Sequence, residues 1–254
     1  MKKNIETVAI HSGMHHSEKE NASVVPPIER STIFEHRPEG MKEGDWKYTR
    51  ASNPNRSQLE QLLADLEGGA ACAAFASGVA AIAAVFQALH KGSHILLPKD
   101  LYHGTRVLMQ DFAESWSLDF DVVDMTDLGA VKSAIKAETH MIWVETPSNP
   151  RLHISSVEEL AKLAHENDAL LAIDNTWPTP YNMQPLNLGA DLVIHSTTKY
   201  LGGHSDILGG AVIAKNESGI FARVREIQIK QGAVPSPQDC WLLSRSIRSF
   251  PYRM

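Results

Sequence analysis

The stretch Leu192-Val193-Ile194-His195-Ser196-Thr197-Thr198-Lys199-Tyr200-Leu201-Gly202-Gly203-His204-Ser205-Asp206 sets a short apolar run against a lysine flanked by hydroxyls and a glycine pair. Leu192 to Ile194 reads as a strand buried on both faces, because the run is aliphatic and too short for a helix. A lysine at the end of such a strand, inside a pocket, gives up its proton more readily, since desolvation disfavours the ammonium form. The free amine is then a nucleophile suited to a Schiff base. Ser196 and Thr198 place hydroxyl donors beside it, where an anion would be held. A single lysine after a strand is most often a solvated surface group. Two upstream segments argue for more than that.

Ala169-Leu170-Leu171-Ala172-Ile173 is a second short apolar run, and it ends in Asp174-Asn175-Thr176-Trp177. An aspartate closing one strand and a lysine closing its neighbour can face the same ligand. Asp174 would then pair with a pyridinium nitrogen and keep it protonated, so that the ring acts as an electron sink. Taken alone, Asp174 is an ordinary turn or capping aspartate. The third piece is Ala73-Ala74-Phe75-Ala76-Ser77-Gly78-Val79-Ala80-Ala81-Ile82, read as a strand, a tight turn and a helix start. Such a start presents backbone N–H groups and a positive dipole end to an anion. Gly78 lets the backbone come close, and Ser77 can cap the helix or donate to phosphate. Lysine, ring-nitrogen carboxylate and phosphate cup together are what pyridoxal 5'-phosphate requires.

Composition is compatible with that reading. The 254 residues are 43% hydrophobic and 21% charged, as in a globular chain large enough for one substantial core. A net charge of −6 gives no reason to expect nucleic acid or an anionic membrane as partner. No apolar run approaches the roughly 18 residues of a membrane span. Met1-Lys2-Lys3-Asn4-Ile5-Glu6 lacks the apolar stretch of a secretory signal, and Cys72 and Cys240 form no disulfide framework, so a reducing, cytoplasmic setting is expected. The twelve histidines are scattered, and His15-His16 lies in a polar loop without matching ligands, so no metal is assigned.

Along the chain, residues 1–55 are polar and weakly periodic, an N-terminal arm that either crosses onto a neighbouring subunit or lies loose. Residues 56–234 alternate. Helices are expected over Ser57–Glu67, from Gly78 to near Lys91, and over Thr105–Trp116 and Leu128–Ala137. A further helix follows the capping box Ser156-x-x-Glu159. Strands are expected around His94–Leu97, Asp121–Val123, Met141–Val144 and Gly210–Ala214, besides the three already named. Such alternation argues an α/β fold, a mainly parallel sheet with helices on both faces. Ligands in such sheets gather beyond the carboxyl ends of the strands, where Asp174, Lys199 and the Ser77-Gly78 turn would converge.

The segments Tyr48-Thr49-Arg50 with Asn53-Pro54, Ser77 to Ile82, Tyr102-His103-Gly104-Thr105, Glu145-Thr146-Pro147-Ser148-Asn149-Pro150, Asp174-Asn175-Thr176 and that around Lys199 together resemble the Cys/Met-metabolism enzymes that use pyridoxal phosphate. The resemblance runs from about Val25 to the last residue. It implies the large domain of an aminotransferase-like fold. It also implies that Lys199 holds the cofactor and shuttles protons, that Asp174 binds the pyridine nitrogen with Thr176 nearby, and that Tyr102 stacks on the ring and serves as acid or base. Asn149 would approach the ring hydroxyl, and Ser77, Gly78, Val79, Ser196 and Thr198 would hold the phosphate. Tyr48 and Arg50 match residues that reach the phosphate of the neighbouring subunit, which implies a homodimer or homotetramer with shared sites. Members of the family continue into a C-terminal domain whose arginine clamps the substrate carboxylate; residues 235–254 read as the start of the helix leading toward it.

The resemblance implies trans-sulfuration on small amino-acid substrates. A cystathionine γ-synthase-like γ-replacement, joining cysteine to an O-acylhomoserine, is the expected reaction. A cystathionine β- or γ-lyase stands beside it, because Trp177 resembles some β-lyases whereas Tyr102 to Thr105 sits closer to γ-type enzymes. An aminotransferase of the same fold and a cofactor-binding remnant without turnover complete the alternatives.

Overall fold

A computed structural model describes residues 4–14, 23–36, 38–40, 42 and 44–254; the His15-His16 pair lies outside them. The elements run in chain order as α1 (Ile5–His11), α2 (Pro54–Glu67), β1 (Ala71–Phe75), α3 (Gly78–Ala88), β2 (His94–Pro98), α4 (His103–Trp116) and β3 (Asp119–Val123). They continue as α5 (Leu128–Ala134), β4 (Thr139–Glu145), α6 (Val157–His165), β5 (Leu170–Asp174), the single turn α7 (Thr179–Asn182) and a 3₁₀ turn over Pro185–Leu188. The last are β6 (Leu192–His195), β7 (Gly210–Ala214), α8 (Ile220–Gln231), α9 (Pro237–Ile247) and α10 (Phe250–Arg253).

Local chemistry sets the helix starts. Asn53 accepts from the Asn55 N–H at 3.0 Å ahead of Pro54, a residue that suits the first helical position because it has no N–H to satisfy. Ser77 caps α3 by accepting from the Ala80 N–H at 3.1 Å, and Ser156 caps α6 through the Glu159 N–H. That cap starts α6 at Val157, three residues before the helix expected from Leu160.

The seven strands lie in the order β1-β7-β6-β5-β4-β2-β3. Strands β3, β2, β4, β5 and β6 are mutually parallel neighbours, whereas β7 runs antiparallel to both β1 and β6. The sheet is therefore mainly parallel with one reversed strand. The direction of β7 is not legible in its sequence, since Gly-Ala-Val-Ile-Ala is equally apolar read either way.

Alternate residues of each strand feed two cores. On one face Leu96, Ile142, Val144, Ile173 and Ile213 pack with Leu59, Leu63 and Leu66 of α2, Leu160 of α6 and Leu243 of α9. On the other, Ile95, Leu97, Met141, Trp143 and Ile194 pack with Val85 and Phe86 of α3, Met109 of α4 and Val224 of α8. Cys240, Ile247 and Phe250 join the first core, so α9 and α10 are integral to it. The described part of the N-terminal segment is tied to the same body. Asn55 bonds Pro27 O and the Glu29 N–H, and Trp241 Nε1 donates to Pro26 O at 2.8 Å. Among the described residues no helix is long and apolar enough to cross a membrane.

Candidate active site

The parallel strands β4, β5 and β6 end at one edge of the sheet, where a cleft of about 720 Å³ opens. Ten of the residues singled out from the sequence line it: Ser77, Gly78, Val79, Tyr102, Asn149, Asp174, Thr176, Ser196, Thr198 and Lys199. Tyr48 and Arg50 do not. The Arg50 guanidinium lies 5.5 Å from the Tyr48 ring centroid and donates to Ile229 O, outside the cleft of its own chain.

One wall is an anion cradle. The first turn of α3 faces the segment after β6, and Gly78 makes this possible. A Cβ there would sit 3.0 Å from Ser196 Cβ and 3.2 Å from its Oγ, so any larger residue would separate the two. Backbone N–H groups at the start of an α-helix have no partner within it and point outward. The hydroxyls of Ser77, Ser196 and Thr198 stand around that point, Thr198 being also braced by Gly209, whose N–H it accepts at 3.0 Å.

The floor carries two carboxylates. Asp174 closes β5 and Glu145 closes β4, and the two are partners in the strand register. Both are nearly buried, at 9% and 6% exposure. Burial pushes the Glu145 carboxyl up to about 8, with the neighbouring Asp174 adding to the rise and the hydrogen bond from the Tyr102 N–H opposing it. Burial likewise raises Asp174, against hydrogen bonds from Thr176 and the nearby His195. The Thr176 N–H donates to Asp174 Oδ1 at 3.0 Å, and the Thr176 hydroxyl accepts from the Ser196 N–H at 2.8 Å. One threonine thus joins the ends of β5 and β6.

The other walls are set by turns. Tyr102 precedes α4, and its backbone is held by the 2.8 Å bond from its N–H to Glu145 Oε2. Its ring lies against Gly104, where a Cβ would overlap the ring carbons, and is 44% exposed toward the cleft mouth. Asn149 sits in a turn clamped by Asp100, which accepts from Ser148 Oγ at 2.6 Å and the Arg151 N–H at 3.0 Å. Lys199 departs from expectation. It lines the cleft but is exposed, because the turn after β6 carries it to the mouth. The enclosing surface anticipated from the sequence is not supplied by this chain's own described atoms.

Glu145 was not among the residues singled out individually. The signal for it was present: like Asp174, it is an acid that closes an apolar run. The donor set fits pyridoxal phosphate, with an amine, a buried carboxylate across from it, a hydroxyl-rich helix start that glycine keeps open, and an exposed aromatic face.

Residues 6–254 match the family described as Cys/Met metabolism PLP-dependent enzyme. The chain belongs to that family. Its cofactor is accordingly pyridoxal 5'-phosphate. A probable cystathionine γ-synthase from Herpetosiphon aurantiacus is 40% identical over 98% of this chain and 77% of its own length. A cystathionine β-lyase from Lactococcus lactis subsp. cremoris is 41% identical over 98% of this chain and 65% of its own length. The crystal structure of metB from Corynebacterium glutamicum superposes with a TM-score of 0.93 at 40% identity, covering 98% of this chain and 65% of that one. A cystathionine γ-lyase from Lactobacillus plantarum, complexed with L-serine, gives the same TM-score and identity over 99% and 65%. This chain thus spans about two thirds of the length of most of these relatives.

Proposed function

We propose that this chain forms the cofactor-binding part of a trans-sulfuration enzyme that performs γ-replacement on an O-acylhomoserine with cysteine, as a cystathionine γ-synthase does. The observation that carries the reading is the convergence of Lys199, Asp174 and the Ser77-Gly78 helix start on one cleft at the carboxyl edge of the sheet. The relatives named cystathionine γ-synthase favour the synthase; those named β- and γ-lyase, at comparable identity, favour elimination at one or the other carbon–sulfur bond of cystathionine as a second reading.

The bound cofactor supplies an electron sink for the pair left behind when a bond at the substrate α-carbon breaks. The protein's own residues do the rest. Lys199 would hold the cofactor through its Nζ and would carry the proton taken from the substrate α-carbon. Asp174 holds a proton on the ring nitrogen. Tyr102 would cover one ring face, and its hydroxyl would donate to or accept from a departing or attacking sulfur. Asn149 would meet the ring oxygen, and the α3 start with Ser196 and Thr198 would hold the phosphate. Tyr48 and Arg50 serve the phosphate of a second copy, since an arginine fork matches its oxygens and both side chains are exposed. The active assembly is then at least a dimer.

Borohydride reduction of the pyridoxal-phosphate-loaded chain, followed by peptide mapping, tests the site. A reduced adduct on Lys199, lost in Lys199→Ala, is expected; an adduct of equal yield in Lys199→Ala overturns it. Turnover of cystathionine against O-acylhomoserine plus cysteine then separates lyase from synthase.

A further inference from the structure

Strand β1 ends the sheet, so the edge it turns away from β7 has no strand to pair with. A free strand edge presents a row of backbone N–H and C=O groups. Here side chains fill that row. Glu60 Oε1 of α2 accepts from the Ala74 N–H at 2.8 Å, and Gln228 Nε2 of α8 donates to Ala74 O at 2.6 Å. The two also bond each other, Gln228 Nε2 donating to Glu60 Oε1 at 2.9 Å. Together they give Ala74 the acceptor and the donor that one residue of a partner strand would supply. Two residues earlier, Arg225 donates to Cys72 O, while its Nη1 reaches Glu60 Oε1 and Gln228 Oε1, each at 2.8 Å. Two residues later, the Ala76 N–H bonds Ala233 O at 2.8 Å, just past α8.

A charged side chain or a covering loop is enough to block a free edge. This one is held at three successive points, and the last is the residue before Ser77. Gln228 is 0% exposed, so its amide is committed to these bonds and not to water. Ser77 has little slack on its other sides. A Cβ on Gly210 of β7 would overlap the Ser77 carbonyl, and the close approach of Gly78 to Ser196 fixes the far wall of the cradle. With β7 pressed against one edge of the β1 exit, the side chains on the opposite edge decide where the first turn of α3 sits.

We propose that Glu60, Arg225 and Gln228 are positioning residues of the phosphate cradle: they bond the free edge of β1 as a partner strand would, and so fix where Ser77 and the first turn of α3 meet Ser196. The inference rests on the cradle reading above. It gives a task in ligand binding to three side chains that line no part of the cleft.

The test titrates pyridoxal phosphate, and pyridoxal without the phosphate, into the full chain by absorbance, with inorganic phosphate as a competitor of the former. Gln228→Leu removes both polar atoms at similar volume. Glu60→Ala removes the acceptor of the Ala74 N–H, and Glu60→Gln restores one. Arg225→Gln, at a half-buried position, is held to the same expectation if either of the first two does not fold. Gln228→Leu and Glu60→Ala are each expected to weaken pyridoxal phosphate and inorganic phosphate by about tenfold, the scale of one hydrogen bond to a charged acceptor. Pyridoxal should move less than about twofold, since it makes no use of the cradle. Glu60→Gln should recover most of the loss; a loss as deep as that of Glu60→Ala would assign the effect to charge and overturn the inference. An equal loss for pyridoxal and pyridoxal phosphate marks edge protection alone and also overturns it, as does no loss for either. A wild type in which inorganic phosphate does not compete with pyridoxal phosphate overturns the cradle reading itself, so the two failures are distinguishable.

Discussion

Glu145 and Asp174 stand directly opposite one another in the β4–β5 register, each the last residue of its strand and each facing the same cleft. Two carboxylates so placed cannot both ionise freely, because burial and mutual repulsion favour the neutral form of one. Glu145 is the one pushed to about 8, and it keeps its place through the Tyr102 N–H.

This pairing predicts a pH dependence of stability in the cofactor-free protein. The folded carboxyl at Glu145 holds its proton up to about 8, whereas an unfolded glutamate releases it near 4.5. Between those values the folded state binds more protons, so stability falls as pH rises through the window. Urea denaturation at intervals from pH 5 to 8 checks the slope. Glu145→Gln, permanently neutral, should flatten it; an unchanged slope would place the titration elsewhere.

Gly104→Ala should disturb Tyr102 and little else. The new methyl overlaps the Tyr102 ring, an exposed side chain that can swing into solvent. Thermal stability should change by no more than about 1 kcal/mol, since alanine also suits the helix better than glycine. Cofactor binding should weaken as the ring loses its stacking surface, and a spectroscopic titration that matches the wild type would remove Tyr102 from the ring face.

Arg50 is exposed, and its guanidinium donates to the backbone carbonyl of Ile229. Its truncation to alanine should cost less than about 0.5 kcal/mol, as for most surface changes. Cofactor affinity should nevertheless fall, in the assembled protein only. Sedimentation together with cofactor titration tests both halves: a monomer holding cofactor as tightly as the assembly would exclude a phosphate contact from a second copy.

Trp143 is fully buried on β4, its ring centroid 5.2 Å from that of Phe86, and its indole N–H has no partner among the described residues. Trp143→Ala should cost about 3–5 kcal/mol through the cavity it leaves. Trp143→Phe should cost clearly less, because it also removes an unsatisfied buried donor. Chemical denaturation of the two variants gives the ordering directly.

Asp174, Lys199 and Ser77 were legible in the sequence for one shared reason: each lies just beyond or at the end of a short apolar run, and strands in such sheets end where ligands bind. The Ser156 cap and the Leu59–Leu66 stripe were legible because capping and helical spacing are local. Helix α1 was not, since its stripe of Ile5, Val8 and Ala9 is a single turn, too short to stand out as periodicity. The direction of β7 was hidden because strand composition does not encode polarity. The exposure of Lys199 was hidden too, because the depth of a cleft depends on which surfaces meet above it. Glu60 and Gln228 lie 168 positions apart, a separation that no local pattern spans.

The reversal of β7 has a practical corollary. Because it runs back against β6, the chain that leaves Ser196 returns to Gly210 at the same rim, and Thr198 is fastened to Gly209 across the gap. The intervening stretch is a closed lobe rather than a crossover, with both feet anchored and its tip, near Ser205-Asp206, in solvent. Lengthening a loop whose ends are already fixed adds closure entropy only slowly, by about 0.6 kcal/mol per doubling. Residues can therefore be inserted or exchanged at that tip without shifting either strand. The mouth of this cleft is an evolvable part on a fixed chassis, a place where substrate preference can drift while the chemistry beneath it stays still.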